Sequence, residues 1–162
     1  MRPAPLSYPF WSPQEVQSAL RPALDQMERR KVLAYPTETV YGFGGAIDRE
    51  SVGALIRLKR RPTGKPFLLL VDGTSTAEHE LARWRDPVES PLQIAKGGTL
   101  AILDAHALPL PIQTYLAAAL TPDVALVVAV PATVDSLVGS GSMDEHLADR
   151  LGDRAVAVPT LA

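Results

Sequence analysis

Apolar residues recur at helical spacing early in the chain, where Val16, Ala19, Leu20, Ala23, Leu24 and Met27 repeat every three or four positions. Ser12-Pro13-Gln14-Glu15 precedes them in the Ser-x-x-Glu form of a capping box, with proline at the first helical position, so a helix starts there. Pro22 lies inside the pattern and is expected to kink or divide that helix, because it has no N–H and its ring crowds the preceding turn. The period then changes. Residues 31–35 read as a strand stopped by Pro36, Val52, Leu55 and Ile56 mark the buried face of a second helix ending before Pro62, and residues 67–71 form a fully apolar strand. Strand, helix and apolar strand in that order predict a crossover unit whose sheet is covered on both faces.

The alternation continues downstream. Ser75-Thr76-Ala77-Glu78 is a second capping box, opening a helix that puts Leu81 and Trp84 inside, and Ser90-Pro91 starts a short helix. Residues 99–103 read as a strand, 111–120 as an alanine-rich helix, 124–130 as a strand, 142–151 as a capped helix and 155–158 as a last strand. The 162 residues suffice for one core of ordinary size, so the expectation is a single α/β domain, a mixed sheet with flanking helices and no internal repeat. Gly139-Ser140-Gly141-Ser142 is the one flexible-looking piece, too short for a domain linker.

Composition narrows the chemistry. A net charge of −2 argues against coating nucleic acid through bulk charge, and leaves any basic patch to be found locally. Cysteine is absent, which removes disulfides, thiolate nucleophiles and cysteine metal sites. His79, His106 and His146 lack paired-ligand spacing, so no metal site is expected. No apolar run approaches the roughly 20 residues that span a bilayer, which makes the cytoplasm the default location and a membrane an unexpected partner.

Pro36-Thr37-Glu38-Thr39-Val40-Tyr41-Gly42 is the first candidate site. A proline that ends a strand exposes Thr37 and Thr39, which can donate to a carboxylate or phosphate, while Tyr41 offers a ring and a hydroxyl. Gly42, Gly44 and Gly45 would let backbone amides approach an anion, although the spacing fits neither a dinucleotide fingerprint nor a Walker A loop, and Thr-x-Thr also suits a plain strand. The second candidate is the run Arg57, Lys59, Arg60, Arg61 and Lys65, five cations in nine residues with no acid among them. The helix dipole explains one or two cations at a helix end; five before a proline and a glycine suit a phosphate-receiving turn. Asp48, Glu50 and Ser51 serve the start of the same helix, Asp48 or Ser51 as its cap.

Leu33-Ala34-Tyr35-Pro36-Thr37-Glu38-Thr39-Val40-Tyr41-Gly42-Phe43-Gly44, with Ile56-Arg57-Leu58-Lys59-Arg60-Arg61-Pro62 and Lys65-Pro66-Phe67, resembles the YrdC-like family of threonylcarbamoyl-AMP synthases. The likeness is dense over residues 31–71 and fainter at Gly97-Gly98-Thr99-Leu100. It implies a twisted α/β fold with a concave nucleotide-binding cleft. It also implies condensation of L-threonine, bicarbonate and ATP, the last accompanied by Mg2+, into threonylcarbamoyl-AMP and pyrophosphate, with no tightly bound cofactor. Partner proteins would then move the threonylcarbamoyl group onto certain tRNAs. On this resemblance Thr37, Thr39, Tyr41 and Lys65 fall to substrate binding, and Lys59, Arg61 and Thr99 to the nucleotide and its phosphates.

The second half departs from the family pattern. Family members carry an Arg-Val-Pro segment and a Ser-x-Asn motif, whereas this chain has no asparagine, valines occupy the strand before Pro131, and Lys96 is the one lysine or arginine between Asp86 and Asp149. Ser140 or Ser142 could stand in for the lost turn. Loss of a charge-assisted contact to a transition state costs on the order of a hundredfold in rate, so nucleotide binding is expected to outlast catalysis. Three readings stay open: a YrdC-like nucleotide binder, a non-catalytic module for double-stranded RNA or tRNA, and a scaffold kept for other interactions.

Overall fold

The helix predicted after Ser12 forms through the predicted contacts. Ser12 Oγ accepts from the Glu15 N–H at 3.3 Å, and Glu15 Oε2 accepts from the N–H groups of Trp11 and Ser12, both at 2.9 Å, which satisfies donors that a helix start leaves open. The computed structural model describes residues 5–37, 40–62, 67–73, 79–152 and 156. Its contacts divide the chain into two units, Met1–Thr63 and Gly64–Ala162.

The first unit contains α1 (Pro13–Glu28), the strands β1 (Leu33–Pro36) and β2 (Tyr41–Gly44), and α2 (Arg49–Lys59). Of the two outcomes expected at Pro22, a kink or a division, division does not occur: α1 runs through it. The carbonyl that loses its partner belongs to Ser18, four residues earlier and exposed, where water can take over the bond. β1 pairs antiparallel with β2 in register Leu33↔Gly44, Ala34↔Phe43, Tyr35↔Gly42 and Pro36↔Tyr41. The expected crossover from β1 through a helix to the next strand is therefore corrected to a hairpin, since that next strand, β3 (Leu68–Asp72), lies in a different sheet. Glycine explains the difference. Tyr35 lies across Gly42 and Gly44, where an added Cβ would meet its ring at 3.0 and 2.9 Å, so two of the glycines expected to offer amides to an anion are strand residues that admit an aromatic ring.

The second unit holds a parallel sheet in the order β3 (Leu68–Asp72), β4 (Thr99–Leu103), β5 (Ala125–Val128). Between the strands run α3 (His79–Arg85) and α4 (Pro91–Ile94), then a 3-10 turn (Ala105–Ala107) and α5 (Leu110–Ala119); α6 (Val134–Gly139) and α7 (Glu145–Leu151) follow. β4 is central and apolar on both faces, as buried parallel strands require, with Leu100, Ala101 and Ile102 all buried. Trp84, Ile112, Leu116 and Leu147 complete a dry core. Gly98 and Gly73 allow the backbone to close in: a Cβ at Gly98 would stand 2.6 Å from Phe67 O, and one at Gly73 2.2 Å from Asp104 O.

One polar side chain organises this core. Gln113, fully buried, donates through Nε2 to Leu108 O at 2.7 Å and Ser142 O at 3.1 Å, while its Oε1 accepts from Asp144 N at 2.9 Å. Arg150 of α7 donates to Ala117 O and Leu120 O, closing the carboxyl end of α5. The segment Gly139-Ser140-Gly141-Ser142 is corrected from a flexible connector to the closure of α6. Gly141 takes the left-handed conformation at φ 73°, and Ser142 N and Met143 N both donate to Leu137 O. The predicted capping box at 75–78 lies outside the described residues, as does all of the predicted strand 155–158 except Val156, which is in no strand.

Candidate functional site

α2 starts from a firmly held cap. Asp48 accepts from Ser51 N and Ser51 Oγ, each at 2.8 Å. Burial alone would raise the Asp48 carboxyl, but these bonds and the Arg30 charge outweigh it and leave the group below its ordinary value. Arg30, itself left-handed at φ 56°, forms an ion pair with Glu50 at 3.0 Å. The far end of the helix is equally defined. Arg60 adopts the left-handed conformation at φ 47°, and Arg61 N reaches back to Ile56 O at 3.0 Å in the manner of a Schellman closure.

This fixed helix sorts the basic run, which the sequence alone presents as one cluster. Arg57 folds back along α2, its guanidinium 3.4 Å from where a Cβ on Gly53 would lie. Lys59 points elsewhere and sets its Nζ 5.9 Å from the centroid of the Phe43 ring on β2. Arg60 is exposed and Arg61 half-buried. Successive residues of a helix project about 100° apart, so adjacent cations need not converge.

The hairpin receives Lys59 on its aromatic face. Alternation places Tyr41 and Phe43 on one face, opposite Pro36 and Ala34, while Tyr35 covers the glycines on the other. Tyr41 is 73% exposed and Phe43 42%, leaving two rings side by side with an ammonium over one of them. Thr37 sits where the hairpin turns. Its N–H donates to Val40 O at 2.9 Å, its hydroxyl also donates to Val40 O, and Val40 N donates back to Thr37 Oγ1 at 3.1 Å. The single hydroxyl proton of Thr37 is thus engaged in the turn, which leaves an oxygen lone pair for a ligand donor. Among the described residues, Thr37, Tyr41, Lys59 and Arg61 share the first unit. Thr39 and Lys65 lie outside the described residues, and Thr99 opens β4 in the second unit, its N–H bonded to Phe67 O at 3.1 Å.

Phe43 is the residue that sequence reasoning passed over as a site member. Its signal was its place two positions from Tyr41, which on any strand puts both rings on one face. Once β2 is known to be a strand, that signal is plain. As a glycine-flanked loop residue, Phe43 carried none.

A family model described as "Telomere recombination", covering the Sua5, YciO and YrdC proteins, matches residues 25–140. The chain belongs to that Sua5/YciO/YrdC family. Among curated relatives, a threonylcarbamoyl-AMP synthase of Serratia proteamaculans is 34% identical over 89 residues, 46% of this chain and 47% of that protein. One from Escherichia coli O6:H1 is 36% identical over 85 residues, 43% and 45% of the two chains. One from Actinobacillus pleuropneumoniae is 46% identical over 48 residues, 29% and 26%. The chain thus spans less than half the length of these family relatives. Among the described residues, no helix is long and apolar enough to cross a membrane.

Proposed function

We propose that this family member binds the phosphates of ATP at the carboxyl end of α2, in a site of the threonylcarbamoyl-AMP synthase type whose turnover is low. One observation carries the reading: α2 delivers the Lys59 ammonium onto the hairpin that bears Thr37 and Tyr41. A point charge beside exposed aromatic surface suits a nucleotide, whose phosphates need neutralising and whose base or substrate needs an apolar wall. Arg61 follows at the same helix end, and on the family resemblance alone Thr39 and Lys65 would serve the substrate and Thr99 the nucleotide.

The reaction places modest demands on side chains. The L-threonine amine and bicarbonate condense to a carbamate with loss of water, one carbamate oxygen attacks the α-phosphorus of ATP, and the bond from that phosphorus to the β-phosphate bridging oxygen breaks to release pyrophosphate. Holding the oxygen in line and neutralising the phosphates accounts for most of the work, and no protein nucleophile takes part. Mg2+ would arrive on the phosphates. The described carboxylates beside α2 are already committed, Asp48 to Ser51 and Glu50 to Arg30. Low turnover follows from the missing donors. The chain has no asparagine, β5 carries Ala125, Leu126, Val127 and Val128 before Pro131, and the Ser140 hydroxyl is tied to Leu137 O at 3.0 Å.

The test combines calorimetry with ATP and an assay for threonine-dependent pyrophosphate release. ATP binding with release at least a hundredfold slower than a full-length family enzyme supports the reading, and absence of ATP binding at millimolar concentration defeats it. A second reading, an RNA-binding module, draws on the exposure of Arg57, Lys59 and Arg60 at one helix end. It requires RNA affinity that falls steeply with salt and is indifferent to ATP.

A further inference from the structure

We propose that Phe43 is a positioning residue for the phosphate site, holding the Lys59 ammonium at the hairpin face without neutralising it. The proposal rests on the nucleotide-binding reading above. Nζ of Lys59 lies 5.9 Å from the Phe43 centroid, within the range where the negative face of an aromatic ring attracts a cation. The ring is presented for this purpose by three local features. β2 alternation turns it to the face of Tyr41, its cross-strand partner Ala34 is small, and it keeps 42% of its surface exposed.

The manner of holding matters for function. Among the described residues, no carboxylate lies within ion-pair distance of Lys59; the described ion pairs are Arg21 with Asp25 and Arg30 with Glu50. A carboxylate would fix the ammonium and cancel the charge that phosphate binding needs. A ring fixes it and leaves the charge intact. Lysine has a flexible four-carbon stem, so restricting it beforehand lowers the ordering cost when an anion arrives. The helix beneath has both ends satisfied, Asp48 capping its start and the backbone of Arg60 and Arg61 closing the end that carries Lys59. An aliphatic residue at position 43 would fill the space without the attraction.

Two measurements on the full chain test this. In protein labelled at the lysine ε-carbon, the Lys59 ε-methylene protons, assigned with Lys59→Arg, are expected to be displaced upfield by the ring current; Phe43→Leu and Phe43→Met should abolish the displacement and Phe43→Tyr keep it. Calorimetry with ATP and with tripolyphosphate should show both ligands weakened about two- to fivefold in Phe43→Leu and Phe43→Met, and restored in Phe43→Tyr. Equal weakening of the two ligands locates the effect at phosphate rather than base. An ε-methylene signal unmoved by the aliphatic variants overturns the proposal. So does equal or tighter binding in those variants, which would mean that the ring holds the ammonium away from the phosphates. Wild-type protein that keeps the ring-current displacement but binds neither ligand overturns the nucleotide-binding reading itself, and is told apart because the failure is the wild type's.

Discussion

The two units of the chain differ in how much core they have, although both leave apolar side chains exposed, Leu68, Leu70 and Val127 in the second among them. The second surrounds a central strand with a dry core in which Trp84, Leu100, Ile102, Leu116 and Leu147 are fully covered and the one buried amide, Gln113, has all its partners. The first buries Ala19, Ser51 and Leu55, and leaves Leu20, Leu24, Tyr35, Tyr41 and Phe43 substantially exposed. Yet the first carries Thr37, Tyr41, Lys59 and Arg61. Its order comes from caps, a ring over glycines and charge contacts, which are individually small. Packing secures one unit and local hydrogen bonding the other, so the residues with candidate chemistry sit where side chains are held by few contacts and remain accessible to a ligand.

The largest effect should come from breaking the packed unit. Trp84→Ala is expected to cost about 3–5 kcal/mol, read as a lower urea midpoint, because the cavity adds to the lost apolar transfer. A cost under about 1 kcal/mol would show that the contrast between the units is false. Next, Lys59→Ala should weaken ATP about 10- to 100-fold, the range for a charge-assisted contact, while unfolding shifts by less than about 0.5 kcal/mol as for other surface changes. Equal losses of affinity and stability would make Lys59 a structural residue.

Asp48→Ala should then cost about 0.5–2 kcal/mol through the lost helix cap. Acid sharpens this prediction. The Asp48 carboxyl is lowered, with burial opposing and the Ser51 bonds and Arg30 prevailing; Asp144 is lowered chiefly by the Thr114 hydroxyl, against burial and with the Leu147 N–H in support. A carboxyl lowered on folding adds stability above its unfolded pKa, and that stability is lost as pH falls through the folded value. Wild-type stability should therefore drop below about pH 4, and the acid limb of Asp48→Ala should be shallower than that of wild type. Parallel acid limbs would remove the cap from the account. The smallest effect is Arg60→Gly, expected to stabilise by a few tenths of a kcal/mol because glycine takes φ 47° without the strain of a side chain. ATP affinity should hold, whereas an RNA-binding surface would lose a phosphate contact and show a shallower salt dependence.

Much of the fold was legible because its signals are local. The capping box at Ser12, the Ser90-Pro91 helix start, the β4 strand at Thr99–Leu103 and the burial of Trp84 all follow from residues within one or two turns of one another. The hairpin was not legible. Glycines at positions 42 and 44 argue locally for a turn, and become strand residues because Tyr35, seven and nine positions earlier, covers them. α6 was not legible for a related reason: Thr133 caps it and Gly141 ends it, and the glycines and serines at its close have the composition of a flexible connector.

The candidate site divides along the same line. The composition of the cationic run, the threonine loop and the family resemblance are properties of the chain as written, because they depend on side-chain chemistry and order alone. Which cation meets which ring is not. Arg57 and Lys59 are two residues apart and equally basic, yet one folds along its own helix and the other reaches Phe43, because helical projection and the pairing of β1 with β2 set directions that no local pattern encodes. The sequence by itself determined that a cationic helix end follows a hydroxyl-bearing segment; the tertiary structure decided that this segment is the turn of a hairpin and that Lys59 faces its aromatic side, since direction in space depends on strand register and helix phase rather than on residue type.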